Sequence, residues 1–186
     1  ICGKYLKEKG RLNNNAIVGT VMSNLGLRKF CESENINFVA TKVGDRYVLE
    51  EMLNKDYVIG GEQSGHVIFK EYANTGDGEL TSLMVLNILS ERKCKLSELA
   101  SIMDKYPQVL VNVNVTKESK TSFGEDAEIN ALIKKYEEEL NGDGRILIRA
   151  SGTENLIRVM IEGKNTEEIS RMANDIADLI NKKFGI

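Results

Sequence analysis

Residues 57–69, YVIGGEQSGHVIF, set a polar loop between two short apolar runs. The flanking runs are rich in residues that favour strands, and the glycines between them favour a tight turn. In the loop, Glu62 offers a carboxylate, Ser64 a hydroxyl, and His66, the only histidine of the chain, a titratable ring. The pattern predicts a loop that can hold a polyhydroxylated ligand such as a sugar. A plain hairpin turn with surface polar residues is the alternative interpretation.

The composition limits the classes of partner. Of 186 residues, 41% are hydrophobic and 28% are charged, and the formal net charge is -3. This is enough apolar material for a core, and the negative charge argues against a nucleic-acid partner, which requires a basic surface. No apolar run reaches the length of a membrane span and no signal peptide is evident, so no membrane partner is expected.

The three cysteines, Cys2, Cys31 and Cys94, are far apart and form no CxxC pair. This pattern indicates unpaired thiols in a reducing cytoplasm. None of them lies in a glycine-rich or histidine-bearing stretch, so each is expected to act as a small apolar residue and not as a nucleophile.

The first hundred residues alternate strands and helices. Strands are predicted at residues 16–22, 37–43 and 57–59, and helices at residues 24–33, 45–54 and 81–91. This alternation indicates βαβ units and a mainly parallel sheet with flanking helices. The helix at residues 81–91 is apolar around most of its circumference, which predicts that it is buried.

Pro107 marks a boundary, because the residue before a proline is biased away from helix. The elements predicted after it are a strand at residues 109–116, a helix face at 129–140, a hairpin of strands at 145–149 and 156–162, and a final helix from 165. Asn165 is expected to cap the final helix, with Glu168 as its capping-box partner. The predicted fold class is therefore α/β plus α+β: a domain with a mixed, mainly parallel sheet and flanking helices, then a smaller α+β domain with an antiparallel sheet and helices.

A second polar loop, RASGTEN, occupies residues 149–155 within the predicted hairpin. Its arginine, its two hydroxyl side chains and the backbone N–H groups of a glycine-flanked turn form a plausible phosphate nest, with Arg158 nearby. Arg149 lies on the strand face opposite Ile146 and Ile148. The alternative interpretation is a polar hairpin turn with solvated arginines.

A third candidate is VGDRY at residues 43–47, at the start of a predicted helix. Asp45 fits the common role of an N-cap. Arg46 in a first turn opposes the helix dipole, which hints at a second reason for a cation there. Residues 75–78, TGDG, are interpreted as a turn and cap, because they lack the clustered carboxylates of a metal loop.

Four segments together resemble the α-D-phosphohexomutase superfamily: GGEQSGH, VGDRYV, TGDGELTSL and RASGTENLIRVMIEG. They follow the superfamily's order along essentially the whole chain, and within it they resemble the bacterial phosphoglucosamine mutases. The resemblance implies the C-terminal half of such an enzyme. Residues 1–12 then form the helical tail of a preceding domain, residues 13–106 the third, sugar-binding domain, and residues 107–186 the fourth, phosphate-binding domain.

The resemblance also implies roles for the polar loops. The residues implied in substrate binding are Glu62, Ser64, His66, Gly44, Asp45 and Arg46. The residues implied in phosphate binding are Arg149, Ser151, Gly152, Thr153 and Arg158. Of the first set, Glu62 and Ser64 recognise the sugar, and His66 lies beside the transferred phosphate, where it could assist. No other catalytic residue and no metal ligand is implied within this chain.

The second loop departs from the superfamily pattern at two positions. Ala150 and Asn155 stand where the superfamily usually has proline. Because proline fixes φ and restricts the unfolded chain, both changes are expected to make the phosphate loop less rigid while leaving its ligands intact.

Enzymes of the superfamily interconvert the 6-phosphate and 1-phosphate of a hexose through a phosphoserine and a bisphosphorylated intermediate. For glucosamine phosphate, this reaction feeds the synthesis of UDP-N-acetylglucosamine and the cell wall. The resemblance implies Mg²⁺ and a glucose or glucosamine bisphosphate activator for the full-length enzyme. The phosphoserine loop and a DGDxDR-like metal loop are missing from this sequence. The chain alone is therefore expected to be inactive.

Two alternatives stay open at this point. One is a phosphomannomutase or phosphoglucomutase, although VGDRYV favours glucosamine. The other is a non-catalytic module that binds phosphosugars. In all cases the expected partner is a small phosphosugar, and oligomer formation by the full-length enzyme is left open.

Overall fold

A computed structural model describes residues 1–186 as two compact units, Ile1–Lys105 and Tyr106–Ile186. The elements of the first unit are α1 (Cys2–Glu8), a 3-10 turn (Asn13–Asn15), β1 (Ala16–Thr20), α2 (Leu25–Ser33), β2 (Asn37–Thr41), α3 (Asp45–Asn54), β3 (Ile59–Gly61), β4 (Val67–Phe69), α4 (Gly78–Arg92) and α5 (Leu96–Ala100). The third strand begins two residues later than predicted, and the short helix α5 was not predicted.

The first unit is built on a four-stranded sheet with the order β2-β1-β3-β4. β1 runs parallel to β2 and to β3, and β3 pairs antiparallel with β4. The carboxyl ends of β1, β2 and β3 therefore meet at one edge of the sheet, where β4 begins. The predicted mixed, mainly parallel sheet is confirmed.

Helices α2 and α3 cover opposite faces of this sheet. Phe30 of α2 belongs to the apolar cluster that includes Ile59, whereas Val48 and Met52 of α3 belong to a separate cluster with Ile68. Gly60 faces α3: a Cβ at this position would lie 2.6 Å from the sulfur of Met52 and 2.7 Å from Val48. The glycine of β3 thus allows α3 to lie directly on the strand.

The apolar composition of α4 predicted burial around its whole circumference, but the structure shows one side of this helix exposed. Leu83 is 64% exposed and Leu86 is 59% exposed, and only Ile88 of this helix is fully buried. Leu80 and Met84 pack against the core from the same side of the helix. The prediction was wrong because apolar composition shows which side chains can be buried, but does not show whether the unit supplies partners on both sides.

The second unit contains a three-stranded antiparallel sheet with the order β5-β7-β6. Its elements are β5 (Gln108–Asn114), α6 (Ser119–Ser122), a 3-10 turn (Phe123–Glu125), α7 (Ala127–Leu140), β6 (Gly144–Ala150), β7 (Leu156–Gly163) and α8 (Thr166–Phe184). This arrangement confirms the predicted α+β class and the predicted hairpin.

The helices α7 and α8 cover one face of this second sheet. The apolar side chains that alternate along β5 and β7 belong to one core cluster with side chains of both helices. They are Val109, Val111, Val113, Ile157, Val159 and Ile161. Arg149 and Arg158 point to the other face, because directly paired residues share a face and successive residues along a strand point to opposite faces. The prediction that Arg149 lies opposite Ile146 and Ile148 is confirmed.

Asn165 caps α8 as predicted, with its side-chain oxygen accepting hydrogen bonds from the N–H groups of Glu167 and Glu168 at 3.0 and 3.3 Å. The reciprocal half of the capping box is not formed: the Glu168 side chain makes no hydrogen bond to the cap. None of the helices combines the length and the apolar character needed to cross a membrane.

Met52 and Leu53 offer a matched test of the first core. Met52 is fully buried between α3 and the sheet, and its neighbour Leu53 is 54% exposed. Replacing Met52 by alanine leaves a cavity and is expected to lower the free energy of unfolding by about 2–5 kcal/mol. Leu53→Ala is expected to change it by no more than about 0.5 kcal/mol. Urea unfolding of both variants measures the difference, and equal losses would contradict the packing described.

Candidate functional site

Three loops follow the parallel strands of the first unit and lie at the same edge of the sheet. They occupy residues 21–24, 42–44 and 62–66. β1 connects through α2 to β2 on one side, whereas β3 continues into β4 on the other side. Ligands of open α/β sheets bind outside the carboxyl ends of the strands where the connections diverge in this way. The topology therefore places the candidate site between the ends of β1 and β3.

The loop between β3 and β4, residues 62–66, is a tight hairpin. The N–H of Glu62 donates to the carbonyl of His66 at 2.9 Å, and the N–H of Gly65 donates to the carbonyl of Glu62 at 3.1 Å. Gly65 has φ +111°, a conformation that side chains other than glycine rarely adopt. Gln63, Ser64 and His66 are exposed. The backbone is thus a hairpin turn, and it presents the predicted polar side chains to solvent.

Glu62 connects this loop to the loop after β2. Its Oε1 accepts a hydrogen bond from the backbone N–H of Gly44 at 2.9 Å. Its Oε2 has no hydrogen-bond partner in the chain, and the side chain is half-buried. Two candidate sites that are separate in the sequence are therefore one site in the structure.

Asp45 is the first residue of α3 and not its N-cap, which is Gly44. The Asp45 carboxylate accepts a hydrogen bond from the N–H of Arg46 at 2.8 Å. The Arg46 guanidinium lies 4.5 Å from the ring centroid of Tyr47 and donates to its hydroxyl at 2.7 Å. The expected N-cap role was wrong because α3 begins at Asp45 itself, as the predicted range 45–54 had it, and the cap before it is Gly44, a glycine with positive φ.

His66 lies against the loop that precedes α4. A Cβ on Gly76 would lie 2.9 Å from the Cδ2 atom of His66, so only glycine allows this approach. In the same loop, Asp77 caps α4 by accepting a hydrogen bond from the N–H of Leu80 at 2.9 Å. The predicted turn and cap at residues 75–78 is confirmed, and it supports the imidazole from the side.

A cavity of about 420 Å³ opens beside the residue 62–66 hairpin. Its polar lining includes Ser23, Asn24, Glu62, His66 and Thr81, and its remaining lining is mainly apolar. Sequence reasoning missed Ser23 and Asn24, both of which are buried. Their position directly after the first predicted strand was the available signal, because that is the carboxyl end of a parallel strand.

In the second unit, Arg149 and Arg158 stand directly opposite each other on β6 and β7. The Nε of each is buried without a hydrogen-bond partner. Burial lowers the pKa of the Arg149 guanidinium, and the adjacent charge of Arg158 lowers it further. The Nη2 of Arg158 donates to Glu154 at 2.8 Å. The two facing cations repel each other and have unused hydrogen-bond donors. A bound anion would relieve the repulsion and accept hydrogen bonds from these donors.

The loop after β6 adds further donors. Gly152 and Thr153 are exposed, and their backbone N–H groups make no hydrogen bond in the chain. Ser151 is different: it is 3% exposed, its N–H donates to the carbonyl of Leu156 at 2.9 Å, and its Oγ accepts from the N–H of Glu154 at 3.2 Å. Of the predicted nest, the N–H groups of Gly152 and Thr153 are available, whereas that of Ser151 is already used.

Burial raises the pKa of the Cys31 thiol to about 11 and also raises that of Cys2. A thiol with a raised pKa is a poor nucleophile near neutral pH. The chain contains no group of three or more His, Cys, Asp or Glu side chains that could hold a metal ion.

Comparison with known proteins assigns the two units separately. Residues 1–106 match the model for phosphoglucomutase/phosphomannomutase, alpha/beta/alpha domain III, and residues 110–179 match the model for its C-terminal domain. The phosphoglucosamine mutase of Clostridium beijerinckii is 55% identical over 99% of this chain and 41% of its own length. That of Clostridium tetani is 56% identical over 98% of this chain and 41% of its own length. This chain thus spans less than half the length of these relatives.

Solved structures share the fold at low sequence identity. A structure of the N-acetylphosphoglucosamine mutase of Aspergillus fumigatus has a TM-score of 0.77 at 20% identity, covering 97% of this chain and 41% of that one. A complex of the same enzyme with GlcNAc-6P and magnesium has a TM-score of 0.72 at 19% identity, with the same coverage. With both family models matched in order, the chain belongs to the phosphoglucomutase/phosphomannomutase family, of which it contains the α/β/α domain III and the C-terminal domain.

Proposed function

We propose that this chain is the sugar- and phosphate-binding part of a phosphoglucosamine mutase, an isomerase that interconverts glucosamine 6-phosphate and glucosamine 1-phosphate. The observation that carries the proposal is the pair of facing arginines whose buried Nε atoms lack partners. The identity of 55% and 56% to two phosphoglucosamine mutases supports glucosamine over other hexoses.

The first unit binds the sugar in this proposal. Glu62 has an unpaired carboxylate oxygen and lies in a hairpin with the exposed hydroxyl of Ser64. Both groups can accept hydrogen bonds from sugar hydroxyls. His66 is a candidate to assist at the transferred phosphate, and the loop of Gly44, Asp45 and Arg46 completes the substrate-binding set.

The second unit binds the phosphate that does not react. Arg149 and Arg158 supply paired charge-assisted donors, and Gly152 and Thr153 supply free backbone N–H groups. Ser151 contributes its hydroxyl as a donor, since its N–H is already bonded. Binding an anion here would neutralise the repulsion between the two guanidinium groups.

The chemistry of the full-length enzyme is part of the same proposal. A phosphoserine outside this chain donates its phosphoryl group, a bisphosphorylated sugar forms, and the serine is then rephosphorylated. The residues present here do not fit a magnesium ion, so none is assigned to them. Magnesium and a glucose or glucosamine bisphosphate activator would act on the rest of the enzyme; structures of the Aspergillus fumigatus enzyme contain magnesium and glucose 1,6-bisphosphate.

The domain assignment belongs to the proposal as well. Residues 13–106 would be the third domain and residues 107–186 the fourth, with residues 1–12 as the tail of the domain before them. We also propose that the enzyme works in the cytoplasm, with a small phosphosugar as its partner and no nucleic acid, in the supply of cell-wall precursors.

An NMR titration of the isotope-labelled chain tests the division of roles. With glucosamine 6-phosphate, the amides of Glu62, Ser64 and His66 and those of Gly152 and Thr153 are expected to shift. With inorganic phosphate, only the amides of Gly152 and Thr153 are expected to shift, because the sugar loop has no cation pair. Shifts of the sugar loop with phosphate alone, or an unresponsive phosphate loop, would contradict the proposal.

Substitution of Arg149 tests the phosphate site. Arg149→Gln removes one of the two facing cations and is expected to weaken binding of inorganic phosphate by about tenfold. Arg171→Gln makes the same change in charge on an exposed side chain of α8 and is expected to have little effect. Isothermal titration calorimetry measures both affinities. Equal losses would show that only the net charge of the protein matters.

The purified 186-residue chain is expected to show no mutase turnover, since the phosphoserine and metal loops are not in its sequence. A coupled assay of glucosamine 1-phosphate formation measures this, with the Clostridium beijerinckii enzyme as the positive control. Turnover by the chain itself at a rate above the enzyme-free background would overturn this part of the proposal.

A further inference from the structure

The carboxylate of Glu62 is the only side-chain group of the residue 62–66 hairpin that is hydrogen-bonded within the chain. Its neighbours Gln63, Ser64 and His66 are exposed, and their side chains form no hydrogen bonds to the protein. Glu62 is half-buried, and its Oε1 accepts the hydrogen bond from Gly44. Glu62 is therefore the one residue of this hairpin whose side chain is held in place by a hydrogen bond.

The donor belongs to a backbone conformation that requires glycine. Gly44 has φ +132° and ψ 129°, and a Cβ added there would lie 3.2 Å from Cδ2 of Tyr47. Side chains other than glycine rarely adopt such a φ, so this N–H points where it does because the position is glycine. Gly44 is also the N-cap of α3, and no side chain caps that helix.

The hydrogen bond between Gly44 and Glu62 is favourable for the start of α3 as well as for the carboxylate. The first N–H groups of a helix lack partners within the helix, and a carboxylate near a helix N-terminus is electrostatically favoured. Oε1 keeps a second lone pair, and Oε2 keeps both of its lone pairs. The carboxylate is thus oriented by one hydrogen bond and still has most of its capacity to accept others.

We propose that Gly44 is a positioning residue: its backbone N–H orients the Glu62 carboxylate so that the free oxygen accepts the sugar hydroxyls. This inference rests on the proposed function, because it assigns the sugar to Glu62. It gives Gly44 a role through Glu62 and requires no direct contact between Gly44 and the substrate. Pre-orientation of an acceptor raises affinity by removing the cost of ordering it on binding.

Four variants of the whole chain test the proposal: Gly44→Ala, Glu62→Ala, the double variant, and Gly10→Ala as the control. Gly10 also has a positive φ, +67°, in the same unit, and a Cβ there would meet no atom within 4 Å. The control therefore also places a side chain at a positive φ, although in the left-handed region that tolerates one more readily, and it does not touch Glu62. The readout is the ratio of the affinities for glucosamine 6-phosphate and inorganic phosphate, and Gly10→Ala shows how far a loss of stability in the same unit changes this ratio by itself.

Gly44→Ala and Glu62→Ala are each expected to lower this ratio by about tenfold. The double variant is expected to lower it no further than Glu62→Ala does, because the effects of two substitutions that remove the same contact do not add. Gly10→Ala is expected to leave the ratio unchanged. An unchanged ratio in Gly44→Ala, or a full second loss in the double variant, would overturn the positioning role.

A failure of the proposed function is distinguishable from a failure of this inference. If the unmodified chain binds glucosamine 6-phosphate no better than inorganic phosphate, the sugar assignment fails. The contact is then judged by solvent exchange of the Gly44 amide without ligand. Faster exchange in Glu62→Ala than in the unmodified chain would support the orienting hydrogen bond, and equal exchange would overturn it.

Discussion

The position of β3 between β1 and β4 is the constraint on which the first unit depends. Gly60 pairs with Val18 on one side and with Ile68 on the other. A slip of one residue would turn the buried face of the strand outward and would carry Glu62 away from Gly44. The lack of a side chain at Gly60 lets α3 pack directly on β3, which brings the start of α3 close to the hairpin. Core packing and the geometry of the site thus share one strand.

The second unit depends on a different balance. Its sheet packs α7 and α8 on one face and leaves two arginines opposed on the other. Their mutual repulsion and their unpaired Nε atoms disfavour the ligand-free state, and the antiparallel pairing of β6 with β7 keeps them together. In the proposed function, a bound anion would offset this repulsion.

Much of this could be predicted from local sequence patterns. Alternation along β5, the glycines of the residue 62–66 hairpin, and the cap at Asn165 all depend on neighbours within a few residues, so periodicity and turn chemistry were sufficient. The burial of α4 was predicted wrongly, because Leu83 and Leu86 are apolar but face no partner in the chain.

The contacts that define the candidate site could not be predicted in this way. Glu62 and Gly44 are 18 positions apart, and their hydrogen bond depends on the order of strands in the sheet. Likewise, the facing of Arg149 and Arg158 depends on strand register, and the use of the Ser151 N–H depends on the hydrogen bond to Leu156. Local patterns identified the loops, and only the three-dimensional arrangement showed which groups remain free.

In the proposed function, the sugar and the phosphate are bound by different units of the chain. Each unit has its own apolar core, so segments 1–105 and 106–186 can be prepared separately. Calorimetric titration of each segment with inorganic phosphate tests this division. We expect segment 106–186 to bind inorganic phosphate and segment 1–105 not to bind it. Binding by segment 1–105 alone would contradict this division.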